Sequence, residues 1–257
     1  MNRPLEVGET VLLVDTRKRR YMVELKSGGE FHTHTGPVAH DDILGADEGR
    51  QVRSVKGGRF RVWRPTLADY VLEMPRGAQV IYPKDLGPIL MHADIFPGAR
   101  VFESGLGSGA LSMALLRAGA HITGYELRAD FHDRARRNVE SYLGAGVMDR
   151  YATEERDAYE GIDAEGLDRV VLDLPEPWQV VPHAARALRP GGIFCAYTPS
   201  IVQVATVRQA LDDAGFLVAE SLEVLQRAWH VEYPAVRPAH RMQGHTGFLT
   251  HARMPAL

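Results

Sequence analysis

A single cysteine, Cys195, among 257 residues excludes an intrachain disulfide and any cysteine-rich metal site. Long apolar runs are missing as well. None reaches the ~18 residues of a membrane span, and the opening "MNRPLEVGET" has no apolar signal core, so the expectation is a cytoplasmic protein with no membrane contact. Excess charge of one sign is also absent. The formal net charge is −3, which gives no global electrostatic argument for nucleic acid. There are no internal repeats and no low-complexity tracts. What remains, 45% hydrophobic and 25% charged residues, is ordinary for a globular protein. The length suits one large domain with an appendage.

Charge is distributed unevenly. Residues 1–65 carry 12 Lys/Arg against 9 Asp/Glu, a net of +3. "TRKRR" (16–20) and "RSVKGGRFRVWR" (53–64) are the basic clusters; either is a solvated face or a phosphate-binding one. The same region is built of short alternating stretches, "ETVLLVD", "RYMVELK", "QVRSV" and "FRVWR", separated by glycine-containing breaks. That texture predicts a small β-domain over 1–65. From about residue 98 the texture changes to strand, glycine turn, helix, repeated, which predicts a doubly wound parallel α/β sheet within a domain over 66–257. Strands are expected at 99–104, 121–126, 168–173, 192–198 and 216–225, with weaker ones near 149–153 and 246–253. Helices are expected at 108–118, 129–143, 179–188 and 201–214. The joining stretch 66–95 reads as helical segments on either side of an extended centre.

In "ARVFESGLGSGALSMALL" an apolar strand ends at Glu103, and Gly105, Gly107 and Gly109 follow at alternate positions before a helix. The spacing Gly-x-Gly-x-Gly is not the Gly-x-Gly-x-x-Gly that cradles a pyrophosphate. Glu103 would repel a diphosphate and suits an ammonium reached through ordered water. The next strand, "HITGYEL", ends in Glu126, placed to accept from ribose hydroxyls. Asp157 in "EERDAYEG" falls where a third strand should end and suits an adenine amino group. In "DRVVLDLPEPWQVV" a buried strand ends at Asp173 and is followed by Pro175 and Pro177, which stop sheet pairing. Asp173 either caps the following helix or faces a ligand at the carboxyl edge of the sheet. Four strand-end carboxylates around one crevice suit S-adenosylmethionine, with its sulfonium and amino group.

These residues resemble the tRNA adenine N1-methyltransferases that make 1-methyladenosine at position 58 of the T-loop. The resemblance rests on "FESGLGSGALS", "GYE", "LDLPEPW", "FHTHTGPVAHDDILG", "IYPKD" and "VRPAHRMQGHTGFL", and spans about residues 8–252. It implies a Rossmann-like class I methyltransferase domain, S-adenosylmethionine as cofactor, tRNA as partner and a homotetramer. Carried onto this chain, it implies a cofactor site of Glu103, Gly105, Leu106, Gly107, Ser108, Gly109, Glu126, Asp157, Ala158 and Asp173. Asp173 is then the catalytic residue, orienting the 6-amino group of the target adenine. Tyr82, Lys84 and Tyr197 become substrate-binding, Tyr82 by stacking on a base and Lys84 by reaching phosphate; each also has a plain surface-loop or pocket-lining reading. Pro199 and the weaker Gln203 are placed at the same pocket. Trp178 offers either an aromatic surface or core packing. One departure is Phe131, where several relatives place a basic residue near the cofactor. His32, His34 and His40 share a strand-like alternation that invites a metal reading, but no fourth ligand is apparent and no metal is expected. Two other readings of the same sheet are a methyltransferase for protein (the isoaspartyl type) or a small molecule, and a non-catalytic tRNA-binding subunit.

Overall fold

The computed structural model describes residues 3–77 and 79–256. The chain forms two compact units, one running to Pro75 and one from Arg76.

In the first unit, β1 (Thr10–Asp15) pairs antiparallel with β2 (Arg20–Glu24). A hairpin follows, β3 (Glu30–Thr33) with β4 (Gly36–Ala39). β5 (Gln51–Arg53) and β6 (Arg59–Trp63) complete a four-stranded sheet of order β2-β1-β6-β5. β6 alternates strictly between exposed and buried positions, so Phe60 and Val62 face a core with Val11, Leu13 and Leu25. The hairpin at 30–39 falls in a stretch that the alternation did not mark, because "FHTHTGPVA" mixes half-buried and exposed positions. Buried His40 accepts a hydrogen bond at Nδ1 from the Lys26 N–H, at 3.0 Å, and His34 meets the Arg19 guanidinium at 3.1 Å. Helix α1 (Leu67–Glu73) starts on a capping box in which Thr66 and Asp69 satisfy each other's backbone N–H groups. Arg20 of β2 pairs with Asp69, which ties this helix to the first sheet. The first unit therefore extends about ten residues beyond the boundary expected at 65.

The second unit starts with α2 (Pro83–His92), which has proline at its first position, where no N–H is needed. Then come β7 (Arg100–Ser104), α3 (Ala110–Arg117), β8 (His121–Glu126), α4 (Ala129–Leu143), β9 (Tyr151–Glu155) and β10 (Leu167–Leu172). After a 3-10 turn at Pro177–Gln179 follow α5 (Val181–Ala187), β11 (Leu188–Thr198), α6 (Ile201–Asp213) and β12 (Leu217–Glu223). The last elements are the hairpin β13 (Trp229–Glu232) and β14 (Ala235–Pro238), and β15 (Phe248–Arg253). Seven strands form one sheet of order β12-β15-β11-β10-β7-β8-β9. β9, β8, β7, β10 and β11 run parallel, with α3, α4 and α5 in the connections β7–β8, β8–β9 and β10–β11.

The expectation of a wholly parallel sheet is corrected at one edge. β15 runs antiparallel to both β11 and β12, because the chain from β12 to β15 contains a hairpin and no crossover helix. The core holds Phe102 against Tyr125 edge-on at 4.9 Å, with Val170, Leu172, Phe194 and Val207 wholly buried. Among the described residues no helix is long and apolar enough to cross a membrane. Strand order reverses at β7, between β8 and β10. Their carboxyl ends, Ser104, Glu126 and Leu172, open on one crevice at that switch point.

Candidate functional site

The loop after β7 is shaped by three glycines with left-handed backbones, Gly105, Gly107 and Gly109. They do different work. A Cβ on Gly105 would sit 2.0 Å from the Asp173 carbonyl oxygen, so a bare backbone is what lets the β7 and β10 ends approach. Gly109 caps α3, and a Cβ on it would sit 3.1 Å from the Ala135 carbonyl oxygen of α4. Gly107 has open space on its Cα, with only the Gly105 oxygen at 4.0 Å. It faces a cavity of about 570 Å³, a size typical of small-molecule sites.

Six of the expected cofactor residues line this cavity: Gly105, Gly107, Glu126, Asp157, Ala158 and Asp173. Glu126 also holds the glycine loop. Its Oε2 accepts from the Gly107 N–H and its Oε1 from the Arg128 N–H, both at 3.1 Å. Asp157 takes the Tyr159 N–H on one oxygen at 2.8 Å. Asp173 follows the last residue of β10, and its N–H donates to the Ser104 carbonyl at 3.0 Å. Neither Pro177–Gln179 nor α5 has a side-chain cap, so the helix-cap reading of Asp173 fails. Its carboxylate, free of hydrogen bonds to the described residues, is left for a ligand.

The other four expected cofactor residues do not line the cavity. Glu103 is wholly buried beneath the loop, accepting from Ser112 at 2.9 Å, and Ser112 in turn accepts from the Tyr151 hydroxyl. Leu106 packs into the core against Gly124, and Gly109 is spent on helix packing. Ser108 is buried, and its carbonyl accepts from Asn138 at 2.9 Å. These residues shape the loop from below because the β7 end is enclosed by α3 and β8. The Glu103 Oε2 and the Ser108 hydroxyl lack hydrogen-bond partners among the described residues.

The three expected substrate residues, Tyr82, Lys84 and Tyr197, also lie outside the cavity lining. The Lys84 ammonium is buried, held by Asp85 at 2.8 Å and by the Val224 carbonyl at 2.7 Å. Tyr197 does not line the cavity; its hydroxyl points to Asp85 at 3.3 Å. Tyr82 stands at the start of α2, and its phenol accepts from Gln79, a cavity-lining residue, at 3.0 Å. Pro199 and Gln203 do line the cavity, and Gln203 donates to the Pro175 carbonyl at 2.7 Å, bracing the rigid turn. Trp178 packs against the core.

Sequence reasoning missed Arg128, Arg156 and Tyr159 on the cavity wall. Arg128 lies over the Phe131 ring at 3.9 Å, so a cation still occupies the region where Phe131 departs from its relatives. Tyr159 donates its hydroxyl to no acid; it accepts from the Glu176 N–H at 3.1 Å and steadies the proline turn. All three adjoin a candidate acid in the sequence, Arg128 two residues after Glu126 and Arg156 and Tyr159 on either side of Asp157.

Electrostatically the crevice is unusual. Burial, and then the Glu126 charge, push the Asp173 carboxyl up to about 7. Burial pushes Glu103 up to about 8, against the Ser112 hydrogen bond and with help from Asp173 and Glu126. Crowded carboxylates of this kind are relieved by a cationic ligand.

Comparison with known proteins agrees with this geometry. A family model described as the tRNA methyltransferase complex GCD14 subunit matches residues 60–236, and a TrmI-like N-terminal model matches 4–52. The tRNA (adenine(58)-N(1))-methyltransferase TrmI of Thermus thermophilus is 38% identical over 95% of this chain and 96% of its own. A tRNA (adenine(57)-N(1)/adenine(58)-N(1))-methyltransferase TrmI of Methanocaldococcus jannaschii is 36% identical over 95% of this chain and 94% of its own. Among solved structures, a protein of Thermotoga maritima described as a SAM-dependent O-methyltransferase superposes with a TM-score of 0.93 at 30% identity, covering 98% of this chain and 95% of that one. Glycine loop, strand-end acids and family match coincide over the same stretch of sheet, and the chain belongs to the GCD14 family of tRNA methyltransferase subunits.

Proposed function

We propose that this chain transfers a methyl group from S-adenosylmethionine to N1 of adenosine 58 in the T-loop of tRNA. The observation that carries the reading is Asp173, at the carboxyl end of β10 with its carboxylate unengaged beside the cavity. The site fits the cofactor: Gly107 leaves its side of the loop open to the cavity, and Glu126, Asp157 and Asp173 bring three carboxylates suited to a cation to its wall.

When bound, S-adenosylmethionine supplies the electrophilic methyl of a sulfonium. Glu126 has lone pairs left for ribose hydroxyls, and Asp157 one free oxygen for an amino group. N1 of neutral adenine already carries a lone pair, so no strong base is needed. The target base must be extruded, since N1 is otherwise paired. Asp173 accepts from the 6-amino group, orients N1 and offsets the positive charge growing on the ring. Pro175 and Pro177, braced by Gln203 and Tyr159, hold that carboxylate in place before the base arrives. Unmodified tRNA transcripts incubated with labelled cofactor should gain one methyl at N1 of adenosine 58, located by nuclease digestion and mass spectrometry. Label on an oxygen, a protein or a small metabolite instead would overturn the reading; the same map reads adenosine 57.

Glu126→Ala should weaken cofactor binding by about 1.5–3 kcal/mol through lost charge-assisted hydrogen bonds; wild-type affinity by calorimetry would remove Glu126 from the site. Binding should also depend on pH. A carboxyl raised in the folded state adds stability that is present below its unfolded value and is lost as pH rises through the folded one. The ligand-free protein therefore loses stability from Asp173 and Glu103 between about pH 4 and 8, while the affinity for the cationic cofactor rises from pH 6 to 8. Calorimetry in buffers of different ionisation enthalpy should show proton release on binding.

For tRNA, Arg17, Arg19 and Arg59 line a concavity of about 190 Å³ in the first unit, with His34 on its rim. Arg64 is engaged with Glu9 at 3.0 Å and with backbone carbonyls, so Arg17 and Arg59 are the better phosphate ligands. Arg17→Ala with Arg59→Ala should weaken tRNA binding and flatten its salt dependence by about 0.7–0.9 for each phosphate that is no longer neutralised. An unchanged slope would place the phosphates elsewhere. The β13–β14 hairpin exposes Trp229, Val231, Val236 and the 97% exposed Tyr233, an apolar surface of the kind buried between subunits, which fits the homotetramer that the family resemblance implies. Such an assembly, acting in the cytoplasm, would pool four positively charged first units.

A further inference from the structure

Outside the cavity, a buried polar cluster centres on Asp85, which is 1% exposed. Its Oδ1 receives the Lys84 ammonium at 2.8 Å; its Oδ2 receives the Thr246 hydroxyl at 2.7 Å and the Tyr197 hydroxyl at 3.3 Å. Lys84 also donates to the Val224 carbonyl at 2.7 Å. Four segments thus meet on the Lys84–Asp85 pair: the first turn of α2, the end of β11, the run leaving β12 and the run entering β15. The Asp85 charge is favoured at the N-terminus of α2 and neutralised by Lys84.

The cluster fixes a ring beside the catalytic strand end. β10 and β11 pair in parallel with Leu172 opposite Ala196, so Asp173 and Tyr197 are the next pair along the edge. Burial, with the charges of Asp85 and Asp173, holds the Tyr197 hydroxyl protonated, so it acts as a donor. Gly247 closes the ring from the other side: a Cβ there would lie 2.4 Å from Cζ of Tyr197. Tyr197 is only 9% exposed and has almost no freedom. None of Asp85, Lys84, Tyr197 or Thr246 lines the cavity.

We propose that Asp85 is a positioning residue for methyl transfer: by holding the Tyr197 phenol against Gly247, it fixes the strand edge that carries Asp173 and the α2 start that carries Tyr82. It acts on acceptor alignment far more than on cofactor binding. This rests on the reading that Asp173 faces the acceptor base. Alignment is where small movements matter, since a misplacement of about 1 Å at the reacting atoms can cost about 10²-fold in rate.

The test uses full-length protein in single-turnover methylation at saturating tRNA and cofactor. Asp85→Ala should lower the rate by about 10–100-fold with cofactor affinity within about twofold of wild type. Asp85→Asn keeps an acceptor for the two hydroxyls and should recover part of the rate. Tyr197→Phe should also be slow, and the Asp85→Ala/Tyr197→Phe double variant should be no slower than the worse single one, because both cut one link. Gly247→Ala, which displaces the ring and leaves Asp85 intact, should reproduce the loss; it and Asp85→Asn carry the test if Asp85→Ala does not fold. The proposal is overturned by a wild-type rate in Gly247→Ala and Asp85→Asn, by losses that multiply in the double variant, or by a rate loss matched by lost cofactor affinity. Wild-type protein that methylates a different acceptor would refute the tRNA reading alone, and the same cycle would then be run on that acceptor.

Discussion

Replacing Asp173 by alanine is expected to lower the single-turnover rate of tRNA methylation by at least ~10²-fold, the usual effect of removing an electrostatic partner aimed at developing charge. The backbone there is held independently of the side chain, by the 3.0 Å hydrogen bond from its N–H to Ser104 and by Gly105 beneath its carbonyl. The substitution should therefore remove a carboxylate without moving the strand end. Asp173→Asn should be nearly as damaging, since an amide is a poorer acceptor and its NH₂ opposes the adenine amino group. Binding of tRNA should change little, because phosphate contacts carry most of it. The wild-type rate at limiting cofactor should rise with pH through about 7 as the Asp173 carboxyl of the ligand-free protein ionises. At saturating cofactor that limb should shift lower, because the bound cation favours the carboxylate, and in the asparagine variant it should vanish. Near-wild-type turnover by the alanine variant would leave Asp173 without a catalytic role.

The contrast between Asp173 and Glu103 shows how much of the site was legible in the sequence. Both end apolar strands, and strand-end position is visible as a buried run followed by breakers. Orientation is not. Glu103 turns beneath its own loop to Ser112 in the first turn of α3, while Asp173 turns outward. The same limit explains Lys84. Its place in "IYPKD" is plain, but its partner is Val224, 140 residues later in the chain. The parallel core and the helices were legible because a 3.6-residue or continuous apolar pattern is local. The antiparallel β15 and the hairpins at 30–39 and 229–238 were not, because their faces are mixed and their pairing is decided by partners far along the chain.

Gly105→Ala should abolish detectable methylation and reduce cofactor affinity more than ~100-fold, and it separates two explanations of the glycine loop. Its backbone is left-handed, with φ of 85°, which costs a residue with a Cβ about 1–2 kcal/mol. That strain alone would be modest. The larger effect is the 2.0 Å approach to the Asp173 oxygen and 2.8 Å to its carbonyl carbon, which is backbone and cannot rotate away. Forcing it aside adds about 1–3 kcal/mol and shifts the catalytic carboxylate together with the cavity floor. Gly107→Ala provides the comparison, since its φ is 53° and its Cβ meets only one atom, at 4.0 Å. Gly107→Ala should melt within a few degrees of wild type when ligand-free and lose affinity only because its methyl occupies the cavity. Gly105→Ala should melt roughly 5–15 °C lower and lose affinity as well. Equal melting temperatures for the two variants would show that backbone conformation, and not the contact between the β7 and β10 ends, is what the glycines protect.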